Sequence, residues 1–266
     1  MTEQQKMNTD LPDPSSFQIL ETTLYTHEYG LLLLDQHLDR MRRSALTLSE
    51  KCYPNHRCFP VAGVSPAVVE SRLQRALTNN QQQPNGCQKG RARILLSSDG
   101  ALDVQVVPIP TTSEDTNTHL TRKPPPPLLV LDPQPTEGLR ASPFVACKTT
   151  FRRIYDAAAA RALAGSNYPD GSLVLLHNTA GRVTEAHIAN VAVSKLVDGT
   201  MRLVTPPVSD GLLAGTMRAH LLKSGQIVEG PVAVDDFRNA VANAWRVVCM
   251  NSVRGMFDVT PVALAP

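Results

Sequence analysis

Lys148 is the first side chain in this sequence whose type and setting could do chemistry. Only seven of the 26 basic residues are lysines. Six of them, at positions 6, 51, 89, 123, 195 and 223, fall in a polar tail, loops, a proline run, a strand end or a helix end, where a solvated charge is the ordinary outcome. Lys148 instead follows Phe144-Val145-Ala146-Cys147 and precedes a helix-forming stretch. Apolar surroundings favour the neutral amine, the form that condenses with a carbonyl to give a Schiff base. A lysine snorkelling from a strand end has the same local sequence.

Three further segments carry candidate groups. Glu185 interrupts the mostly apolar run RVTEAHIANVAV, and an acid buried there needs a partner such as a protonated ring nitrogen; an arginine pair or exposure on an edge strand would serve equally. In TPPVSDGLLAGTMRAHLL a turn closes at Gly215 and a helix begins near Thr216, so free N–H groups and the positive helix end make a seat for phosphate, although a glycine before a helix is common. His37 and Arg40 lie three apart on a helix face, where Arg40 is able either to reach an anion or to remain a surface charge.

The elements that must position these groups follow from the hydrophobic pattern. FQILETTLYT and LLLL predict a hairpin around His27 to Gly30, and DQHLDRMRRSALTL predicts a helix capped by Asp35. SPAVVESRLQRALTN predicts a second helix, with Ser65 as its cap and Pro66 in its first turn. RARILLSS and LDVQVVPI predict strands joined tightly at Asp99-Gly100. PLLVLD, SLVLLH, RVTEAHIANVAV, MRLVT, WRVVCM and VRGMFDV predict later strands, with helices at FRRIYDAAAARALA and GTMRAHLLKSG. We divide the chain into a disordered tail (1–15), an N-terminal α+β lobe (16–110), a Pro/Thr-rich linker (111–127) and a C-terminal lobe (128–266).

Composition excludes several classes. Hydrophobic residues make up 42% and charged residues 19% of 266, which is ordinary globular usage. The net charge of +2 is spread along the chain, so neither nucleic acid nor a membrane surface is an expected partner. The start lacks an apolar leader, and the five cysteines are odd in number and widely spaced. A soluble, cytoplasmic protein with free thiols is expected. Cys52, His56 and Cys58 resemble half a metal site without its second half, so no metal is expected.

Taken in order, six motifs resemble the fold-type IV pyridoxal-phosphate enzymes, the class IV aminotransferase family. They are F-x-x-x-E-T-T (Phe17 to Thr23), H-L-x-R (His37 to Arg40), K-T-T-x-R-x-x-Y-D (Lys148 to Asp156), G-x-V-T-E-x-x-x-A-N (Gly181 to Asn190), T-P-P with G-L-L-x-G-x-x-R (Thr205 to Arg218) and N-S-V-R-G (Asn251 to Gly255). The resemblance runs from Phe17 to the C-terminus and implies a two-lobed α+β or α/β fold, a small N-terminal lobe beside a larger cofactor-binding lobe. It implies pyridoxal 5'-phosphate as cofactor, Lys148 as its Schiff-base lysine and proton shuttle, and Glu185 as partner of the pyridine nitrogen. Arg40 with the backbone of Gly215, Thr216 and Met217 would hold the phosphate, and Asn190 would support it. Tyr155, seven residues after the lysine, is the nearby candidate for the cofactor's phenolic oxygen.

Within the family, the K-T-T-x-R-x-x-Y-D and N-S-V-R-G forms are most similar to the 4-amino-4-deoxychorismate lyase branch. That branch forms 4-aminobenzoate and pyruvate on the folate route. Its small-molecule substrate bears two carboxylates, for which Arg152 and Arg254 are the candidates. A transaminase acting on a D-amino acid, a branched-chain amino acid or an amine would use the same lysine and glutamate. A binding module without catalysis is the third expectation, because the family's extra strand before F-x-x-x-E-T is replaced here by a polar tail. The resemblance also implies a homodimer.

Overall fold

The computed structural model describes residues 11–79, 87–110, 125–165 and 167–262. They fall into two compact units, one within Met1–Thr121 together with Cys147–Phe151, the other within Arg122–Ala146 and Arg152–Pro266. Most of the expected linker, residues 1–10 of the expected tail and the loop at 80–86 lie outside the described residues. The tail's end is ordered at Pro14–Ser16, a single 3-10 turn whose Asp13 carboxylate accepts from Ser15 N–H at 2.7 Å.

The first unit is built on an antiparallel sheet in the order β2-β1-β3-β4, from β1 (Ile19–Thr26), β2 (Gly30–Leu31), β3 (Lys89–Leu96) and β4 (Leu102–Pro108). Its β4 alternates buried and exposed residues, the period-two pattern of a sheet with one wet face. Helices α1 (Leu34–Thr47) and α2 (Pro66–Asn79) belong to the same unit, and Ser65 Oγ accepts from Val68 N–H at 3.4 Å at the start of α2. The Asp99-Gly100 turn forms as expected, with Gly100 at φ +89°. Two expectations at the first hairpin are corrected. LLLL is not a strand: Leu33 adopts a left-handed conformation at φ 56°, pairing stops at Leu31 and α1 begins at Leu34. Asp35 therefore sits inside the first turn and is not the cap. A four-leucine run has no period of its own, so its backbone turn decides its structure.

The second unit contains two sheets. One has the order β13-β5-β6-β7, from β5 (Leu128–Leu131), β6 (Leu173–His177), β7 (Val183–Ala186) and β13 (Thr260–Val262). The other runs β10-β9-β8-β11-β12, from β8 (Asn190–Val197), β9 (Thr200–Thr205), β10 (Val228–Glu229), β11 (Val247–Asn251) and β12 (Gly255–Asp258). Helices α3 (Pro143–Ala146), α4 (Arg153–Leu163), α5 (Thr216–Lys223) and α6 (Val234–Ala242) complete it. Leu173, Leu175, Val183, Val191, Val193, Phe237, Val247 and Cys249 form its main core.

RVTEAHIANVAV is not one strand. A tight turn, with Ala186 and Ala189 exchanging N–H and C=O at 2.8 and 3.1 Å, moves the chain from the first sheet to the second. Helix α6 was not expected, although Val234, Phe237 and Ala240 repeat every third residue and Asp236 accepts from Ala233 N–H at 2.8 Å at its start.

Candidate active site

The sheet switch between β7 and β8 gathers a buried polar cluster around Glu185. On a straight strand, Glu185 and Asn190 would lie roughly 16 Å apart and on opposite faces. The turn instead brings Asn190 Nδ2 within 3.0 Å of Glu185 Oε2. Glu185 Oε1 accepts from Tyr155 Oη at 2.8 Å and from Leu213 N–H at 2.9 Å. A carboxylate 4% exposed is costly without donors, and these three supply them.

Tyr155 arrives from α4. It shares that helix's buried face with Ala158 and Ala162, packed with Val174 and Leu176, so the ring is held by the core while its hydroxyl leaves it. Burial, then the negative charge of Glu185 and the bond to it, push the phenol well above its ordinary range, against the smaller opposing pull of Arg152. The hydroxyl is therefore the donor, and its one proton is committed to Glu185. The Arg152 guanidinium lies 4.9 Å from the Tyr155 ring centroid, and its Nη2 donates to the His187 carbonyl at 2.5 Å. Burial, followed by the neighbouring Arg152, holds His187 below the usual imidazole range, and its Nδ1 accepts from Val174 N–H at 3.0 Å.

Asn190 also joins this carboxylate to the start of α5. Its Nδ2 reaches the Leu213 carbonyl at 2.9 Å, and a β-carbon on Gly215 would stand 1.9 Å from its Oδ1. Only glycine fits at that helix start, which has no side-chain cap. Thr216 and Met217, both buried, open the helix, and Thr216 Oγ1 lies 2.7 Å from Ser252 Oγ. A helix start with no side-chain cap, beside a pair of hydroxyls, is a setting suited to an anion. Ser252 was missed as a site residue although it sits inside N-S-V-R-G. Arg218, the arginine of the G-x-x-R motif, is a strut, donating to Pro206 O at 2.7 Å and to Glu229 at 2.5 Å. Arg254 is exposed, with its guanidinium 5.2 Å from the Phe257 ring centroid. We expect Gly215→Ala to displace the Asn190 amide from its partners at a cost of about 1–3 kcal/mol, read as a lower urea midpoint, and to weaken phosphate binding.

Lys148 and Arg40 belong to the first unit. The Lys148 carbonyl accepts from Leu20 N–H at 2.9 Å, Thr149 bridges Ile19, and Thr150 Oγ1 accepts from Gln18 N–H at 2.9 Å, so the lysine's main chain is stitched beside β1 while its side chain is half-buried. Arg40 Nε donates to Glu21 Oε1 at 2.9 Å and its Nη2 to Oε2, and His37 Nδ1 donates to Oε2 at 2.6 Å. Glu21, fully buried on β1, went unassigned in the sequence despite standing in F-x-x-x-E-T-T. Burial raises its pKa, but the Arg40 charge and the bonds from Arg40 and His37 outweigh this and leave it lowered. Glu21→Gln leaves Arg40 buried without its counter-charge, and we expect a loss of about 3–5 kcal/mol in urea unfolding at neutral pH. Because the folded carboxyl titrates below the unfolded value of about 4.3, the contribution is present above that pH and fades as pH falls through the folded value.

All five cysteines are unpaired. Among the described residues, no group of three or more His, Cys, Asp or Glu side chains is placed to hold a metal ion, and no helix is long and apolar enough to cross a membrane.

Comparison with known proteins agrees with this architecture. A Schizosaccharomyces pombe protein carrying the provisional name aminodeoxychorismate lyase is 34% identical over 250 residues, covering 91% of this chain and 90% of that protein. The Saccharomyces cerevisiae aminodeoxychorismate lyase is 31% identical over 204 residues, 68% of this chain and 54% of that protein. A crystal structure from Mesorhizobium loti, provisionally an amino-acid aminotransferase, superposes with a TM-score of 0.67 at 25% identity, over 92% of this chain and 100% of that one. The Escherichia coli branched-chain amino acid aminotransferase shares the fold, with a TM-score of 0.63 at 14% identity over 91% of this chain and 75% of its own. Residues 18–262 match the family described as amino-transferase class IV, and the chain belongs to that family.

Proposed function

We propose that this chain is a pyridoxal 5'-phosphate-dependent 4-amino-4-deoxychorismate lyase, releasing 4-aminobenzoate and pyruvate. The observation that carries the cofactor is the buried Glu185 carboxylate tied through Asn190 to the uncapped start of α5. The residues fit such a group. Glu185 matches a protonated pyridine nitrogen, and the first-turn N–H groups of α5 with the Thr216 and Ser252 hydroxyls match a phosphate. The family resemblance, and not the geometry around Glu185, is what supports Arg40 as a further phosphate ligand, Met217 in the backbone cradle and Lys148 as the covalent attachment. The name of the Schizosaccharomyces pombe relative supports the substrate.

When bound, the cofactor supplies an electron sink for charge developing on the substrate ring. Lys148, as a neutral amine, takes the proton from the ring carbon that bears the substrate's amino group. Loss of the neighbouring enolpyruvyl ether as an enolate then completes the aromatic ring, and the enolate takes the proton held by Lys148 onto its methylene carbon to become pyruvate. Atoms balance with no second substrate, so the chain needs one group that takes and returns a proton, and groups for two carboxylates. Arg152 and Arg254 are assigned to the carboxylates. Unpaired thiols support a reducing compartment, which we take to be the cytoplasm, and the family resemblance supports a homodimer, to be checked by light scattering.

The test is direct. Purified protein with added cofactor and aminodeoxychorismate should yield fluorescent 4-aminobenzoate and an equal amount of pyruvate. The second reading, a transaminase, is supported by the likeness to the Mesorhizobium loti structure. Keto-acid formation from an amino donor with no 4-aminobenzoate would replace the lyase assignment by that one.

A further inference from the structure

We infer that Tyr155 is a positioning residue for Glu185: its hydroxyl spends its proton on Oε1 and, with the Leu213 N–H on the same oxygen, fixes the orientation in which the carboxylate meets the ring nitrogen. This rests on the assignment of Glu185 proposed above.

Direction comes first. An ionised carboxylate only accepts, so the phenol must donate in the 2.8 Å bond. Burial and the adjacent negative charge keep that phenol protonated far beyond neutral pH. A phenol has one proton, so Tyr155 cannot give a second hydrogen bond to the cofactor's phenolic oxygen. The role belonging to Tyr155 is therefore at the carboxylate that meets the ring nitrogen, and not at the phenolic oxygen its sequence position suggests.

Placement is the second point. Two donors to Glu185, Asn190 and Leu213, stand on β8 and the loop entering α5. Tyr155 is the donor from α4, where the packed stripe with Ala158 and Ala162 leaves its ring little freedom. Glu185 is thus braced from separate elements, and thermal motion of the α5 loop alone does not swing it. The Arg152 guanidinium over the ring polarises the phenol and makes its hydroxyl a stronger donor.

The experiment compares Tyr155→Phe in the wild-type and Glu185→Gln backgrounds, using cofactor carrying an isotope-labelled ring nitrogen. The readouts are the cofactor dissociation constant and the chemical shift of that nitrogen. In the wild-type background, Tyr155→Phe should weaken cofactor binding about tenfold and move the nitrogen resonance. In the Glu185→Gln background it should change neither further, because both substitutions act through one carboxylate. Equal effects in both backgrounds, or none in the wild-type background, would overturn the inference while leaving the cofactor assignment standing. A wild-type protein that takes up no cofactor would overturn both. If the phenylalanine variant does not fold, difluorotyrosine at 155 replaces it. Its more acidic proton should move the resonance in the opposite sense, and an unmoved resonance would refute the role.

Discussion

Lys148→Ala is expected to keep its fold and to lose turnover by roughly four orders of magnitude. Lys148 is held in the fold through its main chain: its carbonyl takes the Leu20 N–H, and its neighbours Thr149 and Thr150 make contacts with Ile19 and Gln18. Alanine preserves all of these, so the melting curve should move by no more than about 1 kcal/mol of stability. The amine is what disappears. The cofactor's absorbance near the visible edge should change from that of an attached to that of a free carbonyl, and 4-aminobenzoate should fall to background. Lys148→Arg separates charge from nucleophilicity, since a guanidinium stays protonated, and it should be as inactive as the alanine variant. Turnover within a hundredfold of wild type in either variant would remove Lys148 from the mechanism.

The second large effect is expected at Glu185→Gln, a drop of roughly 10²–10³ in kcat/KM. The carboxylate receives Tyr155 Oη, Leu213 N–H and Asn190 Nδ2. An amide in its place offers one acceptor oxygen and turns its NH2 toward a donor, so besides losing charge the variant creates a buried donor–donor conflict worth about 1–3 kcal/mol. Activity and urea midpoint should therefore fall together, unlike in Lys148→Ala, where activity alone falls. A variant with less than a tenfold loss would mean that the ring nitrogen finds its partner elsewhere.

Elements with their own period were legible in the sequence. The α4 stripe of Tyr155, Ala158 and Ala162, the Ser65 start of α2 and the Asp99-Gly100 turn follow from residue spacing and turn chemistry alone. The LLLL run failed because nothing in four identical residues announces a left-handed Leu33. RVTEAHIANVAV failed for a related reason: small and β-branched residues fit a strand on both sides of the turn, and the interruption at His187 and Ile188 carries neither glycine nor proline. That missed turn is what makes the Glu185–Asn190 bond, so this site geometry was invisible even where its residues were identified. Glu21 and Ser252 were overlooked because their significance lies in partners distant in sequence, Arg40 with His37 in one case and Thr216 in the other. The motif order singled out the residues proposed for the site, while their partners could be read only from the fold.

The assignment of residues 147–151 to the first unit governs how the polypeptide can be taken apart. A fragment ending at Thr121 would be missing the acceptor for Leu20 N–H and the bridge to Ile19. No single cut yields two self-sufficient polypeptides. In a split-protein complementation experiment, the amino-terminal piece would depend on its counterpart for the five-residue insert that carries Lys148, so its maturation would be conditional on synthesis of the other half.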